Sequence, residues 1–381
     1  MKIVITAHTY YPNKDGVQVV TEYLAEGLVQ KGHNVTVVSP VIPGAPLDEE
    51  HNGVIIHRVN VSTVHCKYKG DIIGYQKYII DLANNSDCLI NMCMQTATTD
   101  VLLPLLRKMP CKKILYMHGM FEFTFNNSDW SNGIQLMHKV WCSLNWRSLY
   151  SKLGRYISEY DKIIQLHSMD YANQYFIKRY RVKTNIIENA ADDAFFKQNN
   201  NSSLKEKYGK YALFVGNYDP NKNQIDLVRA FVKANIPDLS LVMIGSTKNA
   251  YYEKVIELIN NSGDIGKLIY ALTSVPRTEV SDYVEESLFY MMSSRVEKFP
   301  VSIVEAMAEG KAFISYDAGI TRYLPGGVIV KNPDEMAEWM KTMYENPDVM
   351  YSYGNAGKMY AQKHLSRSVA VNKLENIIEN L

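Results

Sequence analysis

Excess charge and long apolar runs are both missing from this sequence. Lysine and arginine number 41 against 40 aspartate and glutamate residues, which gives the 381-residue chain a formal net charge of +1. A chain so close to neutrality exerts no global attraction on the phosphates of nucleic acid. No stretch comes near the about 18 uninterrupted apolar residues that a membrane span requires. We therefore expect no nucleic-acid partner and no membrane-spanning segment.

Cysteine is scarce too, and its pattern excludes two further kinds of site. The cysteines are odd in number, follow no regular spacing and form no C-x-x-C pair, so neither a disulfide framework nor a zinc site is indicated. We expect them to be reduced and mostly buried. They are Cys66, Cys88, Cys93, Cys111 and Cys142. The chain opens with Met1 to Ala7, which reads like a first strand, and then turns polar at once. It thus lacks the long apolar core of a signal peptide, which predicts a cytoplasmic protein.

What the sequence does contain is an alternation of short apolar runs with segments of helical period, typical of parallel βαβ units. From Val17 to Leu28 apolar residues recur at steps of three and four, which predicts a helix that Gly32 ends. No G-x-G-x-x-G follows the first strand, so a nicotinamide site is not supported. The predicted strands are Ile3–Ala7, Val35–Ser39, Val54–Val59, Cys88–Met92, Lys113–Met117, Lys162–Leu166, Asn185–Ile187, Tyr211–Val215, Leu239–Ile244, Lys267–Ala271, Leu288–Met292 and Ala312–Tyr316.

This alternation is interrupted between Glu188 and Tyr208, where the chain becomes rich in Asn, Asp, Lys and Ser. Polar stretches with few contacts are the usual domain boundaries. The length and the hydrophobic content of 46% suit two domains of ordinary size. We predict a first domain over 1–187, a linker over 188–208, a second α/β domain over 209–362 and a C-terminal helical segment over 363–381.

The most informative stretch is the run from Glu297 to Gly310, which follows a buried strand and opens a helix near Ser302. Glu297 falls on the strand-to-helix loop and Glu305 in the first turns of the helix. Such junctions face the crevice where open α/β sheets bind ligands. Carboxylates accept hydrogen bonds from sugar hydroxyls, and a helix N-terminus suits a phosphate. The run indicates a nucleotide-sugar site, although two glutamates beside a loop can also be ordinary solvated surface charges.

The same run resembles the glutamate-x7-glutamate signature of retaining glycosyltransferases with the GT-B fold, in particular glycosyltransferase family 4, with its following Ala-Met-Ala-x-Gly. The resemblance implies two Rossmann-like α/β domains that face each other across a cleft, with a C-terminal helix that returns to the first, acceptor-side domain. It implies that Glu297 approaches the donor sugar as a catalytic residue and that Glu305 holds the ribose hydroxyls. It also implies donor contacts for the loop residues between them. These are Lys298, Phe299, Pro300 and Val301.

Residues Tyr211 to Lys222 resemble the family's strand-Gly-Arg-x5-Lys phosphate clamp. The resemblance implies that Gly216 and Lys222 contact the donor diphosphate, where a cation stabilises the charge that the leaving group gains. Asn217 stands where the family has Arg. Asn217 therefore puts a neutral amide at this donor-binding position. The missing positive charge has to come from another cation, and the candidates are Arg295, Lys298 and Arg322.

Two further resemblances lie in the first half of the chain. Asp15-Gly16 stands before the first helix, where the family usually has a Gly-Gly that contacts the diphosphate; a glycine there can take a positive φ and let backbone N–H groups approach an anion. His118 follows the strand from Lys113, where the family has a His near the donor sugar, and imidazole can donate to a hydroxyl or carry a proton. A departure follows Tyr316, where the family's Gly-Gly-x-Pro-Glu is Ala318 to Arg322.

The resemblance implies a hexosyltransferase that moves a sugar with retention from a UDP- or GDP-linked donor to a hydroxyl of a glycan or lipid-linked acceptor, in bacterial cell-surface polysaccharide synthesis. No Asp-x-Asp is present, so we expect no obligatory metal and no cofactor beyond the nucleotide-sugar substrate. Two alternatives remain open. One is an epimerase or hydrolase of the same fold, and the other is a degenerate binding protein without catalysis.

Basic and aromatic residues are interspersed between Gln135 and Tyr160. Such a helix can lie at a membrane interface or beside a lipid-linked acceptor. The alternative is an ordinary helix with a core face and a solvated face. The first interpretation predicts a peripheral contact with the inner face of the membrane.

Overall fold

A computed structural model describes residues 1–13, 16–121, 123, 125, 133–197 and 203–381. The contacts divide the chain into two compact units. One contains Met1–Glu188 together with Ala370–Leu381, and the other contains Asn189–Val369. Each unit is built around its own sheet, so the two are described in turn.

The first unit contains an eight-stranded sheet in the order β10-β9-β8-β7-β1-β2-β4-β3. Every neighbouring pair is parallel except β3 with β4. Its central strands are continuous apolar runs because helices cover both faces of a parallel sheet. The strands are β1 (Lys2–Thr6), β2 (Asn34–Pro40), β3 (Asp48–His51), β4 (Val54–Val59), β7 (Cys88–Met92), β8 (Lys112–Tyr116), β9 (Lys162–Gln165) and β10 (Asn185–Ile186), while β5 (Val61–Val64) and β6 (Lys67–Gly70) form a separate hairpin.

Six helices belong wholly or mainly to this unit. They are α1 (Gly16–Gln30), α2 (Ile72–Asn84), α3 (Ala97–Asp100), α4 (Gly133–Leu153), α5 (Tyr171–Tyr180) and, at the C-terminal end, α14 (Arg367–Glu379). Helix α14 packs on α1, where a side chain on Gly27 would overlap Val371. Lys31, directly after α1, and Glu375 of α14 form an ion pair at 2.7 Å. The last helix of the chain is therefore part of the first unit.

The second unit contains a six-stranded sheet in the order β13-β12-β11-β14-β15-β16, and all its pairs are parallel. Its strands are β11 (Lys210–Val215), β12 (Leu239–Gly245), β13 (Ile269–Thr273), β14 (Phe289–Met292), β15 (Phe313–Tyr316) and β16 (Gly327–Val330). Its helices are α6 (Leu204–Tyr208), α7 (Gln224–Ala234), α8 (Ala250–Asn260), α9 (Gly263–Gly266), α10 (Val280–Glu286), α11 (Val301–Ala308), α12 (Pro333–Glu345) and α13 (Pro347–His364). Short 3-10 segments lie in both units. Those of the first unit are Leu103–Lys108 and Ile157–Glu159, and those of the second unit are Asp193–Phe196, Arg277–Glu279 and Thr321–Tyr323.

All twelve strands that the sequence predicts are present, with ends that differ by at most two residues. Four others, β3, β5, β6 and β16, were not predicted. The described part of the predicted linker, from Asn189 onward, lies inside the second unit. Phe195 is buried there and the short helix α6 ends in the buried Tyr208, because isolated aromatic residues in a polar segment suffice to pack it. Residues 198–202 lie outside the described residues.

Candidate functional site

The order of each sheet reverses at one point, and the candidate residues lie at those two points. In the second sheet the chain proceeds outward from β11 to β12 and β13 and returns to β14 on the other side of β11. In the first sheet it proceeds from β1 to β2 and returns to β7. Loops that leave the carboxyl ends of the two strands at such a reversal diverge, and open α/β sheets bind ligands in the crevice between them.

Three hydrogen bonds join the loop after β11 to the loop after β14. The backbone N–H of Arg295 donates to the carbonyl of Asn221 at 2.7 Å, and the hydroxyl of Ser293 donates to the carbonyl of Lys222 at 2.9 Å. The Nζ of Lys222 donates to Oε1 of Glu297 at 2.6 Å. The structure thus brings together the two residues that the sequence assigns to the diphosphate and to the donor sugar.

Lys222 and Glu297 are held in place but remain accessible, with side chains that are 34% and 13% exposed. A partly exposed ion pair is worth little to stability. It is, however, easily opened by a ligand that offers a phosphate to the ammonium group and hydroxyl groups to the carboxylate. The pair is therefore suited to a ligand that carries both groups.

Gly216 and Asn217 continue β11 into this loop. The N–H of Gly216 donates to the carbonyl of Ile244 at 2.8 Å, and the side-chain amide of Gln224 donates to the carbonyl of Asn217 at 2.8 Å. At the end of β11 the hydroxyl of Tyr290 accepts from the N–H of Val215 at 3.1 Å. Asn217 is exposed and provides no charge, so Lys222 is the one cation of the predicted clamp in this loop as the structure describes it.

The loop from Glu297 to Val301 rests on the turn after β15. Gly319 has φ +63°, and a Cβ there would lie 2.4 Å from the carbonyl oxygen of Lys298. The next residue, Ile320, donates its N–H to that same carbonyl at 3.2 Å. Only glycine combines this backbone conformation with so close an approach. The glycine that remains from the family's Gly-Gly therefore supports the loop that carries Glu297.

Phe299 and Pro300 are buried, whereas Lys298 and Val301 are partly exposed. The side-chain amide of Asn189 donates to the carbonyl of Phe299 at 3.1 Å. Helix α11 begins at Val301, and among the described residues no side chain caps its first turn. The backbone N–H groups of Val301 and Ser302 are the first of the helix, and a helix start of this kind attracts an anion.

Glu305 lies on α11 and is only 3% exposed. Arg277 binds it with both terminal nitrogens, NH1 to Oε2 at 3.2 Å and NH2 to Oε1. Burial raises the pKa of Glu305, and the adjacent guanidinium opposes that shift. Burial also raises the pKa of Tyr290, with further contributions from the charges of Glu305 and Glu297, which places both carboxylates near this hydroxyl. The sequence analysis missed Arg277, since nothing in the sequence pairs position 277 with position 305.

Two of the three cations that could replace the missing arginine, Arg295 and Arg322, have carboxylate partners. Arg295 lies 3.6 Å from Asp226. The Nε of Arg322 donates to Asp317 at 2.8 Å on an exposed surface. Of the arginines near α11, Arg277 is the one whose carboxylate partner belongs to the glutamate motif.

His118 follows β8 in the first unit and is buried. Its ring stacks on Tyr116 with centroids 5.0 Å apart, and its Nε2 has no hydrogen-bond partner among the described residues. Burial, assisted by the neighbouring His8, lowers the pKa of His118 to about 3. The imidazole is therefore neutral at physiological pH, and it can offer or accept one hydrogen bond but is a weak base.

The structure corrects one expectation and leaves another outside its range. Gly16 is the first residue of α1 and is absent from the residues with positive φ, because the helix begins at this residue. Its backbone is nevertheless open, since a Cβ there would have no neighbour within 4 Å. Asp15 lies outside the described residues.

Ligand sites are typically clefts of about 300–1,000 Å³. The first unit has a cavity of about 420 Å³ at the carboxyl ends of β1, β2 and β7. Its lining consists of hydroxyl, amide and imidazole groups with small apolar residues. The lining residues are His8, Pro40, Ser62, Thr63, Gln95, Thr96, Ala97 and Thr98. These residues were missed by the sequence analysis, although a polar run directly after a buried strand was a usable signal.

The wall of this cavity has an unusual backbone. Cys93 and Gln95 have φ of +65° and +67°, a conformation that costs energy in any residue other than glycine and that clusters at functional sites. The N–H of Gln95 donates to the buried Asp100 at 3.1 Å, and its side-chain oxygen accepts from the N–H of Phe121 at 2.9 Å. Gln95 thus connects the cavity wall to the loop that carries His118.

One group of side chains in the described chain could hold a metal ion. Glu22, Glu26 and His51 present ligand atoms within 4.8 Å of one another. Glu22 and Glu26 lie on α1, and His51 ends β3. At the second unit's site, by contrast, Lys222 and Arg277 already compensate Glu297 and Glu305.

Comparisons with known proteins agree with this architecture. The family model described as Glycosyl transferases group 1 matches residues 195–360, and the one described as Glycosyltransferase Family 4 matches residues 14–192. A trehalose synthase from Pyrococcus horikoshii is 25% identical over 179 residues, which cover 44% of this chain and 43% of that protein. A human GDP-Man:Man(3)GlcNAc(2)-PP-Dol alpha-1,2-mannosyltransferase is 29% identical over 146 residues, 36% of this chain and 30% of that protein. The chain therefore matches less than half the length of these two relatives.

Among solved structures, HepE from Anabaena in complex with UDP-glucose superimposes with a TM-score of 0.73 at 14% identity. The match covers 100% of both chains. At this identity the likeness concerns the fold alone.

Proposed function

We propose that this chain, which belongs to glycosyltransferase family 4 and has the two-domain α/β GT-B fold, transfers a hexose from a nucleotide diphosphate sugar to a hydroxyl group with retention of configuration. The acceptor we propose is a glycan or lipid-linked sugar of the bacterial cell surface. The observation that supports this most directly is the Lys222–Glu297 pair at the strand reversal of the second sheet.

Lys222 and the start of α11 form the phosphate end of the proposed site. When the glycosidic bond breaks, negative charge develops on the departing diphosphate, and a preorganised ammonium group stabilises it. The first backbone amides of α11, at Val301 and Ser302, add the partial positive charge of a helix N-terminus. Gly216 and Asn217 line the approach without adding charge. We therefore propose that Lys222 exchanges its bond to Glu297 for a bond to the diphosphate when the donor binds.

The two glutamates form the sugar end. Glu297, released from Lys222, accepts hydrogen bonds from donor-sugar hydroxyls. Glu305, which is paired with Arg277, accepts from the ribose hydroxyls. Its burial makes such bonds stronger than they would be in water. The nucleobase stays open between uridine and guanosine. The human relative carries GDP-Man in its name and the Anabaena neighbour was solved with UDP-glucose.

His118 and the cavity of the first unit form the acceptor side of the proposal. With its pKa near 3, His118 suits a hydrogen bond to a sugar hydroxyl better than proton removal from the acceptor, because a general base works best when its pKa is near the working pH. The neutral hydroxyl and amide lining of the cavity suits a sugar. The charge at the leaving group is matched by Lys222 and helix amides, so we propose that no metal is obligatory.

A donor screen tests the proposal. Differential scanning fluorimetry with UDP-glucose, UDP-galactose, UDP-N-acetylglucosamine and GDP-mannose should raise Tm for one donor, because a ligand that binds only the folded state stabilises it in proportion to occupancy. The same donor, labelled in its sugar, should lose that sugar to an acceptor in the presence of EDTA, and Glu297→Gln should abolish the transfer. Lys254→Gln, on the exposed side of α8, is the control.

The outcomes separate the alternatives. Conversion of the donor to another nucleotide-sugar without acceptor identifies an epimerase. Release of free sugar alone identifies a hydrolase. Stabilisation by a donor that is never turned over identifies a binding protein. Transfer that survives Glu297→Gln unchanged would contradict the site, and stabilisation by none of the four donors would contradict the proposed donor class.

A further inference from the structure

Helix α4 is buried in the first unit along only one of its halves. Its buried residues begin at Cys142 and recur through Trp146 and Tyr150 to Leu153, at the spacing of one helical face. None of the residues from Gly133 to Trp141 is buried. The N-terminal half of a 21-residue helix therefore presents its surface to the surroundings of the chain.

The exposed part of α4 is apolar on one side. Met137 is 67% exposed and Leu144 is 62% exposed. Together with Ile134 and Trp141, which are also exposed, they follow each other at steps of three, four and three residues, so they lie in one stripe along the helix. Val140 lies beside that stripe. Single exposed apolar residues are ordinary, but a contiguous stripe marks an interaction surface.

Charge identifies the kind of partner. Between Gly133 and Ser158 the sequence contains no aspartate or glutamate. It contains four cations in the same stretch, which are Lys139, Arg147, Lys152 and Arg155. Lys139 lies 5.1 Å from the ring centre of Phe125, an aromatic residue that is itself exposed. A helix with an apolar stripe, aromatic residues and charge of positive sign only is suited to an anionic lipid surface, into which the stripe inserts and to whose headgroups the cations bind.

We propose that the exposed stripe of α4, defined by Ile134, Met137, Val140, Trp141 and Leu144, docks the first unit on the surface of an anionic membrane. The helix lies in the plane of the interface and does not cross it: within the described chain no helix has the length and apolarity that a bilayer crossing needs. None of these five residues belongs to the proposed transferase site, so vesicle binding can be measured independently of the transferase activity.

Vesicle flotation of the full chain tests the docking surface. The protein should float with vesicles made of equal parts phosphatidylglycerol and phosphatidylcholine and stay at the bottom with phosphatidylcholine alone. Met137→Glu should lower the bound fraction about tenfold or more, since it removes an inserted apolar side chain and adds a charge that the lipid repels. The matched control is Met359→Glu on α13, a methionine that is 72% exposed on a helix of the second unit, and it should bind as the wild type does.

A charge variant tests the second half of the argument. Lys152→Glu combined with Arg155→Glu leaves the apolar stripe intact and should weaken binding to anionic vesicles at least fivefold. Added salt should also weaken vesicle binding of the wild type.

Circular dichroism and Tm confirm that each variant is folded. Sedimentation velocity without vesicles tests for a second copy: a wild-type dimer that Met137→Glu dissociates would identify the stripe as a protein interface and overturn the proposal. Absence of flotation with anionic vesicles, or equal flotation of Met137→Glu and wild type, would overturn it as well.

Discussion

The two units have the same sheet reversal but place different chemistry at it. In the second unit the reversal carries paired charges, Lys222 with Glu297 and Arg277 with Glu305. In the first unit it carries neutral hydroxyls, an amide and an uncharged imidazole. The same topology therefore presents charged side chains in one unit and neutral polar side chains in the other. The difference fits a reaction in which a charged donor meets a neutral acceptor.

The two edges are also held by different means. In the second unit, bonds between loops fix the site: Arg295 to Asn221, Ser293 to Lys222 and Ile320 to Lys298. In the first unit, a backbone in an unfavourable conformation at Cys93 and Gln95 is fixed by the buried Asp100. Burial raises the pKa of Asp100 to about 8 against the opposing hydrogen bond from Tyr68. The contrast predicts a large loss of activity when a charged site residue of the second unit is replaced, and a small loss when a neutral site residue of the first unit is replaced.

The largest effect is expected from Lys222→Met. This change keeps the length of the side chain but removes the cation from the leaving group, and kcat should fall about 100- to 1,000-fold, or about 3–4 kcal/mol. Thr96→Val in the first unit should mainly raise the acceptor KM, by about tenfold or less, because one neutral hydrogen bond is lost. Steady-state kinetics with the identified donor measure both. Similar losses of kcat in the two variants would break the comparison.

Lys233→Met is the control for the lysine. Lys233 pairs with Asp334 on the surface of the second unit at 2.7 Å. It lies at the C-terminal end of α7, whereas Lys222 precedes the N-terminal end, and its loss should leave kcat unchanged. A Tm measurement on Lys222→Met is needed alongside, since Glu297 then loses its partner. A fall in kcat that followed only from unfolding would appear as a matching fall in Tm.

Arg277→Leu tests whether the second unit's site depends on charge compensation. It leaves the buried Glu305 without its guanidinium partner. Because the Arg277 side chain is itself half exposed, we expect a loss of about 1–3 kcal/mol, less than for a fully buried pair. Urea unfolding followed by a probe in the second unit should report that loss. The double variant with Glu305→Gln should recover much of it, since the uncompensated charge is gone. Equal stability of Arg277→Leu and the wild type would show that Glu305 is not held as an ion.

Gly319→Ala sharpens the contrast between the two kinds of support. A methyl group there would meet the carbonyls of Lys298 and Glu297 at a φ of +63°, so we expect a loss of about 2 kcal/mol and weaker donor binding. Gly263→Ala is the matched control, because Gly263 has φ +61° and open space around it. It should lose only about 1 kcal/mol and keep donor affinity. Urea unfolding and donor titration measure both variants, and identical losses would show that the turn does not support the Glu297 loop.

Much of the fold could be predicted because its strands are continuous apolar runs. β7 and β12 are buried at every position, and such runs are visible in the sequence. β3 reads Asp-Glu-Glu-His and forms only by pairing with β4 across Asn52-Gly53. That dipeptide is a known hairpin signal, since both residues have positive φ here. The β5–β6 hairpin turns at His65-Cys66, also with positive φ, and no rule of turn chemistry predicts that pair.

The site was predictable where it lies in one run of sequence and not where it depends on distant contacts. The spacing within Glu297 to Glu305 and the position of Lys222 after β11 could be read directly, and the structure brings Lys222 to Glu297 across 75 residues. Arg277 meets Glu305 through the fold alone, and the sequence offers several other arginines for that place. Gln95 to Thr98 did carry a signal, but it lies in the part of the chain that resembles the family least.

The smallest effect concerns pH and tests the neutral character of the first unit. Burial, then His8, lowers the pKa of His118 from its ordinary 6.5 to about 3, so between these values the unfolded chain binds a proton that the folded chain does not. The stability that His118 contributes is therefore present above pH 6.5 and lost as pH falls toward 3. Asp100 acts in the opposite direction. Its pKa is raised to about 8, so its protonation makes the folded protein more stable as pH falls.

The wild-type profile mixes the two effects, so the measurement is the difference in unfolding free energy between wild type and His118→Gln. From pH 7 to pH 5 the wild type should lose about 1–2 kcal/mol more than the variant, whereas parallel profiles would mean that His118 is charged or solvated and that the first unit's edge is not neutral.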